Sequence, residues 1–181
     1  MKEIEIKAYL KDKEAILEKL AELGCVLSDP ITQSDTVFVQ KVGPLDIYLS
    51  NGLFPRIRRT GDGRTIFTVK KPVSLDALTK LEAEMEVSDA NALKNALEMM
   101  GYQESNTVKK IRRKGHIGEF EICIDEVESL GTFIEVERMS EMDVERIRTE
   151  IETFLRSLGV PQEDETVKGY DILMIEKMYA K

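Results

Sequence analysis

Tryptophan is absent, histidine occurs once and cysteine twice in these 181 residues. Cys25 and Cys123 show no metal-type spacing, so neither a disulfide framework nor a zinc site is expected. A reducing, cytoplasmic setting follows as the default. His116 falls in an expected turn, which argues against a catalytic role. No apolar run approaches the length of a bilayer span. The segment Glu3-Ile4-Glu5-Ile6-Lys7 lacks an apolar h-region, so no signal peptide is expected. The net charge of −8 argues against nucleic acid or an anionic membrane as partner, while leaving room for a local basic pocket.

What is present is charge: 33% of residues are charged against 42% hydrophobic. That describes a soluble globular chain with an excess of charge to place, and its length suits a single domain spanning 1–181. Residues 2–10 alternate charged and apolar at period two, which predicts a strand. Asp12 then offers an N-cap, and Ala15, Ile16, Leu17, Leu20 and Leu23 supply a helical stripe that Gly24 ends. Strands are expected at 34–41, 46–49, 54–60 and 65–71, the last two joined by a hairpin turn at Gly61-Asp62-Gly63.

Residues 72–80 are expected to form a mobile loop. The pattern of strand, cap, helix and glycine then recurs. Glu82, Glu84 and Glu86 alternate with apolar residues, Ser88 or Asp89 caps a helix carrying Leu93, Leu97 and Met100, and Gly101 closes it. An internal duplication around 3–24 and 82–101 is therefore expected, giving a pseudo-two-fold barrel in preference to a solenoid. Further strands are expected at 106–114, 117–126 and 131–138, with turns at Gly115-His116 and Ser129-Leu130-Gly131. Ser140 with Asp143 resembles a capping box before a third helix running to Leu158. A last amphipathic helix covers 167–178.

The polar faces of these strands are nearly all ionisable, with signs sorted by strand. Glu3, Glu5 and Lys7 share one face, Arg56 and Arg58 another, and Lys70 follows on the next strand. Glu82, Glu84 and Glu86 share a face, as do Lys110, Arg112 and Lys114. Glu119, Glu121 and Asp125 lie on one parity, and Glu135 and Glu137 oppose Ile134 and Val136. A single such strand reads as solvated surface. Seven of them, with helices to pack on the apolar faces, imply a closed barrel with a charged lumen. Buried charges must then pair with each other, with a metal or with a charged ligand. Carboxylates suit Mg²⁺ or Mn²⁺, and Arg and Lys suit phosphate. A linear triphosphate matches the number of cations better than a monophosphate.

These residues resemble the CYTH family, the triphosphate tunnel fold. Glu3-Ile4-Glu5-Ile6-Lys7 resembles its ExExK signature, Pro55-Arg56-Ile57-Arg58 its arginine strand, and Phe67-Thr68-Val69-Lys70-Lys71-Pro72 its lysine strand. Thr107-Val108-Lys109-Lys110-Ile111-Arg112 is similar to its KxR strand, and Ile124 through Glu137 to its metal-binding hairpin. The resemblance implies an α+β fold, an antiparallel eight-stranded β-barrel or tunnel with helices packed outside. It implies Glu3, Glu5, Asp125, Glu135 and Glu137 as metal ligands or their neighbours. It implies Lys7, Arg56, Arg58, Lys70, Lys110 and Arg112 as triphosphate contacts. Glu82, Glu84, Glu86 and Glu121 would line an acidic wall. Gly169-Tyr170-Asp171-Ile172-Leu173 is similar to the tail of class IV adenylyl cyclases, although Tyr170 and Leu173 themselves read as helix packing.

The resemblance implies a metal-dependent enzyme using Mg²⁺ or Mn²⁺, with ATP cyclisation to cyclic AMP and pyrophosphate as the leading activity. Glu3, Glu5 and Lys7 are the catalytic candidates, Lys7 for orienting or deprotonating the nucleophile. Hydrolysis of inorganic triphosphate, thiamine triphosphate or a nucleoside triphosphate is the second reading, and a non-catalytic polyphosphate or nucleotide sensor the third. With no tryptophan, any stacking on a base falls to Phe38, Tyr48 or Phe54. Cyclase-like relatives suggest a homodimer, which no feature of the sequence itself demonstrates.

Overall fold

A computed structural model describes residues 2–40, 53–72, 79–141 and 143–179. The expected strand at 46–49 lies outside them. Alternation dominates the architecture. Strand β1 (Lys2–Tyr9) leads into helix α1 (Lys13–Glu22), whose first turn is capped where the Ala15 amide donates to the Asp12 carboxylate at 3.1 Å. Strands β2 (Ile31–Gln40), β3 (Phe54–Thr60), β4 (Thr65–Pro72) and β5 (Thr79–Glu86) follow. Helix α2 (Ala90–Met99) is capped by Asp89. Then come β6 (Tyr102–Ile117), β7 (Phe120–Val127) and β8 (Gly131–Ser140). Helix α3 (Val144–Leu158), a short β9 (Glu165–Thr166) and helix α4 (Tyr170–Tyr179) complete the order.

The sheet runs β5-β4-β3-β2-β6-β7-β8-β1-β9, and every strand pairing among the described residues is antiparallel. β1 also meets β5, with Glu3 opposite Lys80 and Ile4 opposite Thr79. The eight-strand order thus returns on itself through a seam of two residue pairs. Further along the same edge of β1, Lys7 and Ala8 pair with β9 instead.

Period-two side chains send one face of each strand inward and the other outward. The outward face of β1, β7 and β8 offers Ile4, Ile6, Ala8, Ile122, Ile124, Ile134 and Val136, and it packs against Ile16 and Leu20 of α1 and Ile147, Ile151 and Leu155 of α3. The 4-residue recurrence in α3 places its apolar residues on one stripe. Leu97 of α2 covers Phe38 and Ile57, while Tyr170 and Leu173 of α4 pack on Val108, Val127 and Phe133. Helices α1, α2 and α3 thereby claim the outward apolar faces and leave the ionisable faces to line the lumen, whereas α4 packs on residues of the inward parity shared with Lys110, Asp125 and Glu135. No helix among the described residues is long and apolar enough to cross a membrane.

Three local expectations change. The turn expected at Gly115-His116 lies at Gly118-Glu119 instead, since Ile117 pairs with Phe120 around it. Gly115 instead marks a close approach: a Cβ there would stand 2.6 Å from Cys25 Sγ and 3.0 Å from the Val26 carbonyl. Asp143, not Ser140, caps α3 by accepting from the Glu145 amide, and Ser140 still belongs to β8. Of the loop expected over 72–80, Pro72 belongs to β4 and Thr79 and Lys80 to β5, and residues 73–78 lie outside the described residues.

Candidate functional site

Ion pairs fill the lumen in two regions. The larger starts at the β1–β5 seam. Lys70 of β4 reaches Glu3 at 3.0 Å and Glu82 at 2.8 Å. On β1, Lys7 binds Glu5 at 2.8 Å and Glu135 of β8 at 3.0 Å. Arg112 pairs with Glu135 and also donates from Nε to Asp125 at 2.6 Å. Lys110 reaches the same Asp125 at 3.1 Å. Asp125 is fully buried, and Lys7, Lys110, Arg112 and Glu135 are buried as well. Buried charges persist only when compensated in this way.

The second set lies on β2 and β3. Asp35 accepts two hydrogen bonds from Arg58, from Nε at 2.7 Å and Nη2 at 2.8 Å, and stands 3.5 Å from Arg56. Arg56 donates to Thr68 at 3.2 Å, and Thr68 donates to Glu84 at 3.2 Å. Asp35 is absent from the residues singled out in the sequence. Its segment, Ser34-Asp35-Thr36, carries one acid and no charge alternation, so only its parity on a strand beside the arginines could have identified it.

Carboxylate oxygens of Glu3, Glu5 and Glu137 lie within 4.8 Å of one another. They are brought together because β8 is registered against β1 with Glu137 opposite Glu5. Burial and the hydrogen bond with Glu82 push Glu3 up to about 8. Glu82 is held down at about 2 despite its own burial, by that shared hydrogen bond and by Lys70. Burial and the mutual hydrogen bond therefore favour one proton shared between the two acids. Burial, Glu121 and Glu5 raise Glu137. Three crowded hard oxygen donors carrying this electrostatic cost are the donor set a divalent cation relieves.

The remaining groups have settled charges. Burial disfavours the Lys7 ammonium, but Glu135 and Glu5 overcome it and hold Lys7 above its ordinary value. Burial likewise opposes ionised Glu135, yet Arg112 and Lys7 keep it well below the usual carboxylate range. Lys110 is the exception: burial and the neighbouring Arg112 push it down to about 8.

Tyr170 closes the inner end of the larger set. Its hydroxyl donates to Asp125 at 2.9 Å. Its ring lies 4.5 Å from Lys7 Nζ and 4.9 Å from Lys110 Nζ, and it meets Phe133 edge-on at 4.9 Å. Leu173 does pack as a terminal helix should, but Tyr170 also enters the charge network, which its apolar spacing did not signal.

The fold thus gathers Glu3, Glu5, Lys7, Lys70, Glu82, Lys110, Arg112, Asp125 and Glu135 into contact, and sets Arg56 and Arg58 on Asp35. Glu121 pairs with Lys114. Glu86 is exposed, opposite Ile66. Phe38 sits in the outer core under α2, Tyr48 lies outside the described residues, and Phe54 shares the parity of Arg56 opposite Lys70.

Known proteins resemble the chain in sequence and in fold. A Methanocaldococcus jannaschii protein, provisionally named an adenylate cyclase, is 29% identical, with 94% of this chain and 97% of that protein covered. A Pyrococcus horikoshii structure superposes with a TM-score of 0.82 at 28% identity, covering 97% of this chain and 99% of the other. A Hippeastrum protein, provisionally named an adenylyl cyclase and described with a dominant triphosphatase activity, shares the fold at a TM-score of 0.62 and 17% identity, with 93% and 90% covered. The CYTH domain profile matches residues 1–170, and the chain belongs to the CYTH domain family.

Proposed function

We propose that the chain is a metal-dependent enzyme that processes a linear triphosphate within this lumen, with conversion of ATP to cyclic AMP and pyrophosphate as the leading reaction. One observation carries the reading: Lys7, Arg58, Lys110 and Arg112, all buried, and Arg56 and Lys70, tied in through Asp35 and Glu3, are six cationic side chains on the same lumen as the crowded Glu3, Glu5 and Glu137 carboxylates. The cations suit a chain of phosphates, Arg by its planar fork and Lys as a point charge. Glu3, Glu5 and Glu137 would hold Mg²⁺ or Mn²⁺, which supplies Lewis-acid polarisation of a phosphoryl oxygen. Asp125 and Glu135 are saturated by cations, so their part is to hold Lys7, Lys110 and Arg112 in place. Lys7 contributes positive charge to the phosphates; its raised pKa opposes a role as general base.

Triphosphate hydrolysis is the second reading. The Hippeastrum protein supports it, since a cyclase-like name there accompanies a dominant triphosphatase activity. Both reactions use the same clamp, and which phosphorus meets the nucleophile depends on how the substrate is positioned. Purified protein incubated with Mn²⁺ and either ATP or inorganic triphosphate, with products separated by ion exchange, decides between them. Cyclic AMP with pyrophosphate supports cyclisation. Orthophosphate with ADP, or with pyrophosphate from triphosphate, supports hydrolysis. Binding with no product in any metal overturns both and leaves a sensor. A Glu3→Ala/Glu5→Ala variant that retained full turnover would remove the proposed metal site.

A further inference from the structure

Asp35 stands apart from the other buried acids. Glu135 and Asp125 each tie into the network around Lys7, Lys110 and Arg112, whereas the ion pairs of Asp35 among the described residues go to the β3 arginines. It lies opposite Arg58 in the β2–β3 register, and Arg56 is opposite Val37 one inward position along. Short reach therefore lets a single aspartate serve both guanidinium groups.

The geometry fixes which donors remain. Arg58 spends its Nε and one Nη2 hydrogen on Asp35 at 2.7 and 2.8 Å. A guanidinium offers five N–H donors in a rigid fork, so Asp35 leaves the edge containing Nη1 unengaged. Arg56 is held from its terminal nitrogens, Nη1 at 3.5 Å from Asp35 and Nη2 donating to Thr68 at 3.2 Å. Thr68 is fully buried and donates its own hydroxyl hydrogen bond to Glu84. Arg56 Nε is buried and has no hydrogen-bond partner among the described residues. A buried donor left unmet costs free energy that an incoming anionic oxygen would recover.

We propose that Asp35 is a positioning residue for phosphate recognition: it sets the guanidinium planes of Arg58 and Arg56 so that their remaining N–H groups are held toward the lumen for the substrate's phosphate oxygens. The inference rests on the triphosphate reading above. Asp35 acts through the arginines and does not itself touch the substrate. Held well below its ordinary value by Arg58 and Arg56 against the cost of burial, it stays ionised across the working pH range.

The test is a double-mutant cycle on triphosphate affinity, read by calorimetry with inorganic triphosphate and Mn²⁺ on the full chain, with thermal unfolding of each variant alongside. Asp35→Asn in the wild-type background is expected to weaken binding about tenfold, the loss of one well-placed charge-assisted pair. In an Arg58→Lys background, where only the longer Arg56 contact at 3.5 Å remains to be set, the same change is expected to cost less, about threefold at most, since residues acting as a unit are non-additive. Equal losses in both backgrounds, or tighter binding on removing the negative charge, overturn the proposal. Asp35→Glu keeps the charge and shifts its position by one methylene, so it is the second variant if Asn impairs folding. Weakened binding by Asp35→Glu supports positioning, and unchanged binding overturns it. Failure of the wild-type protein to bind triphosphate would sink the functional reading itself, and that control is measured first.

Discussion

The Tyr170 hydroxyl donates to the buried carboxylate of Asp125 at 2.9 Å, tying the last helix to the strand that anchors Lys110 and Arg112. Two effects can be separated there. Tyr170→Phe keeps the ring beside both ammonium groups and removes only the hydrogen bond, so a stability loss of about 1 kcal/mol is expected. Tyr170→Ala also removes the packing on Phe133, Val108 and Val127, and about 3 kcal/mol or more is expected. Urea unfolding midpoints of the two variants distinguish these contributions. Equal losses would mean that the hydroxyl alone carries the coupling.

Metal affinity is expected to depend on pH through Glu3. With its value raised to about 8, metal-free Glu3 is protonated below that pH, and ligation requires the carboxylate. Metal binding therefore releases a proton below about pH 8, and apparent Mn²⁺ affinity rises toward about tenfold per pH unit as pH increases to that point, then levels off. Glu82→Gln offers Glu3 an amide donor in place of a proton-sharing acid, which favours the ionised form and flattens the dependence. Mn²⁺ titrations between pH 6 and 9, in buffers of different ionisation enthalpy, measure both the affinity and the released proton. A flat profile in the wild-type chain would remove the shared proton from the account.

Much of this site was legible because period-two alternation assigns a side chain to one face without needing its partners. Glu3, Glu5 and Lys7 declare a common face by themselves, as do Lys110 and Arg112. Their partners do not. That Lys70 bridges Glu3 to Glu82 depends on the two-pair seam between β1 and β5, a long-range register with no local sequence mark. The same holds for Glu137 joining Glu3 and Glu5 while Asp125 and Glu135 are taken up by cations: all five are acids on plausible faces, and only strand register and depth separate them. Gly115 was misread for a related reason. A glycine in a strand can mark a turn or a close approach, and the approaching chain at Cys25 and Val26 lies some ninety residues away.

The assignment of Glu135 to the cations, with Glu3, Glu5 and Glu137 left for metal, can be tested by one substitution. Glu135→Gln leaves Lys7 and Arg112 buried without their shared counter-charge. Breaking one side of a buried pair costs about 3–5 kcal/mol. A large fall in melting temperature is therefore expected for the metal-free variant. Inorganic triphosphate should restore more stability than it gives the wild type, because its oxygens replace the missing charge. Mn²⁺ affinity should change less than about threefold, since the removed charge is not among the proposed ligands. A loss of Mn²⁺ affinity of a hundredfold would return Glu135 to the metal site.

A nucleotide and an inorganic triphosphate differ only beyond the phosphates, so selectivity between them must come from a group outside the cationic clamp. Among the three aromatic residues proposed from the sequence for stacking, Phe38 is committed to the outer core and Tyr48 lies outside the described residues. Phe54 shares the inward parity of Arg56 and faces Lys70 across the β3–β4 ladder, which sets it one inward position from the arginine that would hold phosphate. Stacking on an aromatic ring contributes about 1–3 kcal/mol per base. Phe54→Ala is therefore expected to raise KM for ATP about tenfold or more, while KM for inorganic triphosphate stays within about twofold because no base is present. Steady-state kinetics on both substrates with one preparation give the ratio directly. An equal rise for both would make Phe54 a structural support of the Arg56 strand. No rise for either would place the base elsewhere, or make the preferred substrate one that has no base.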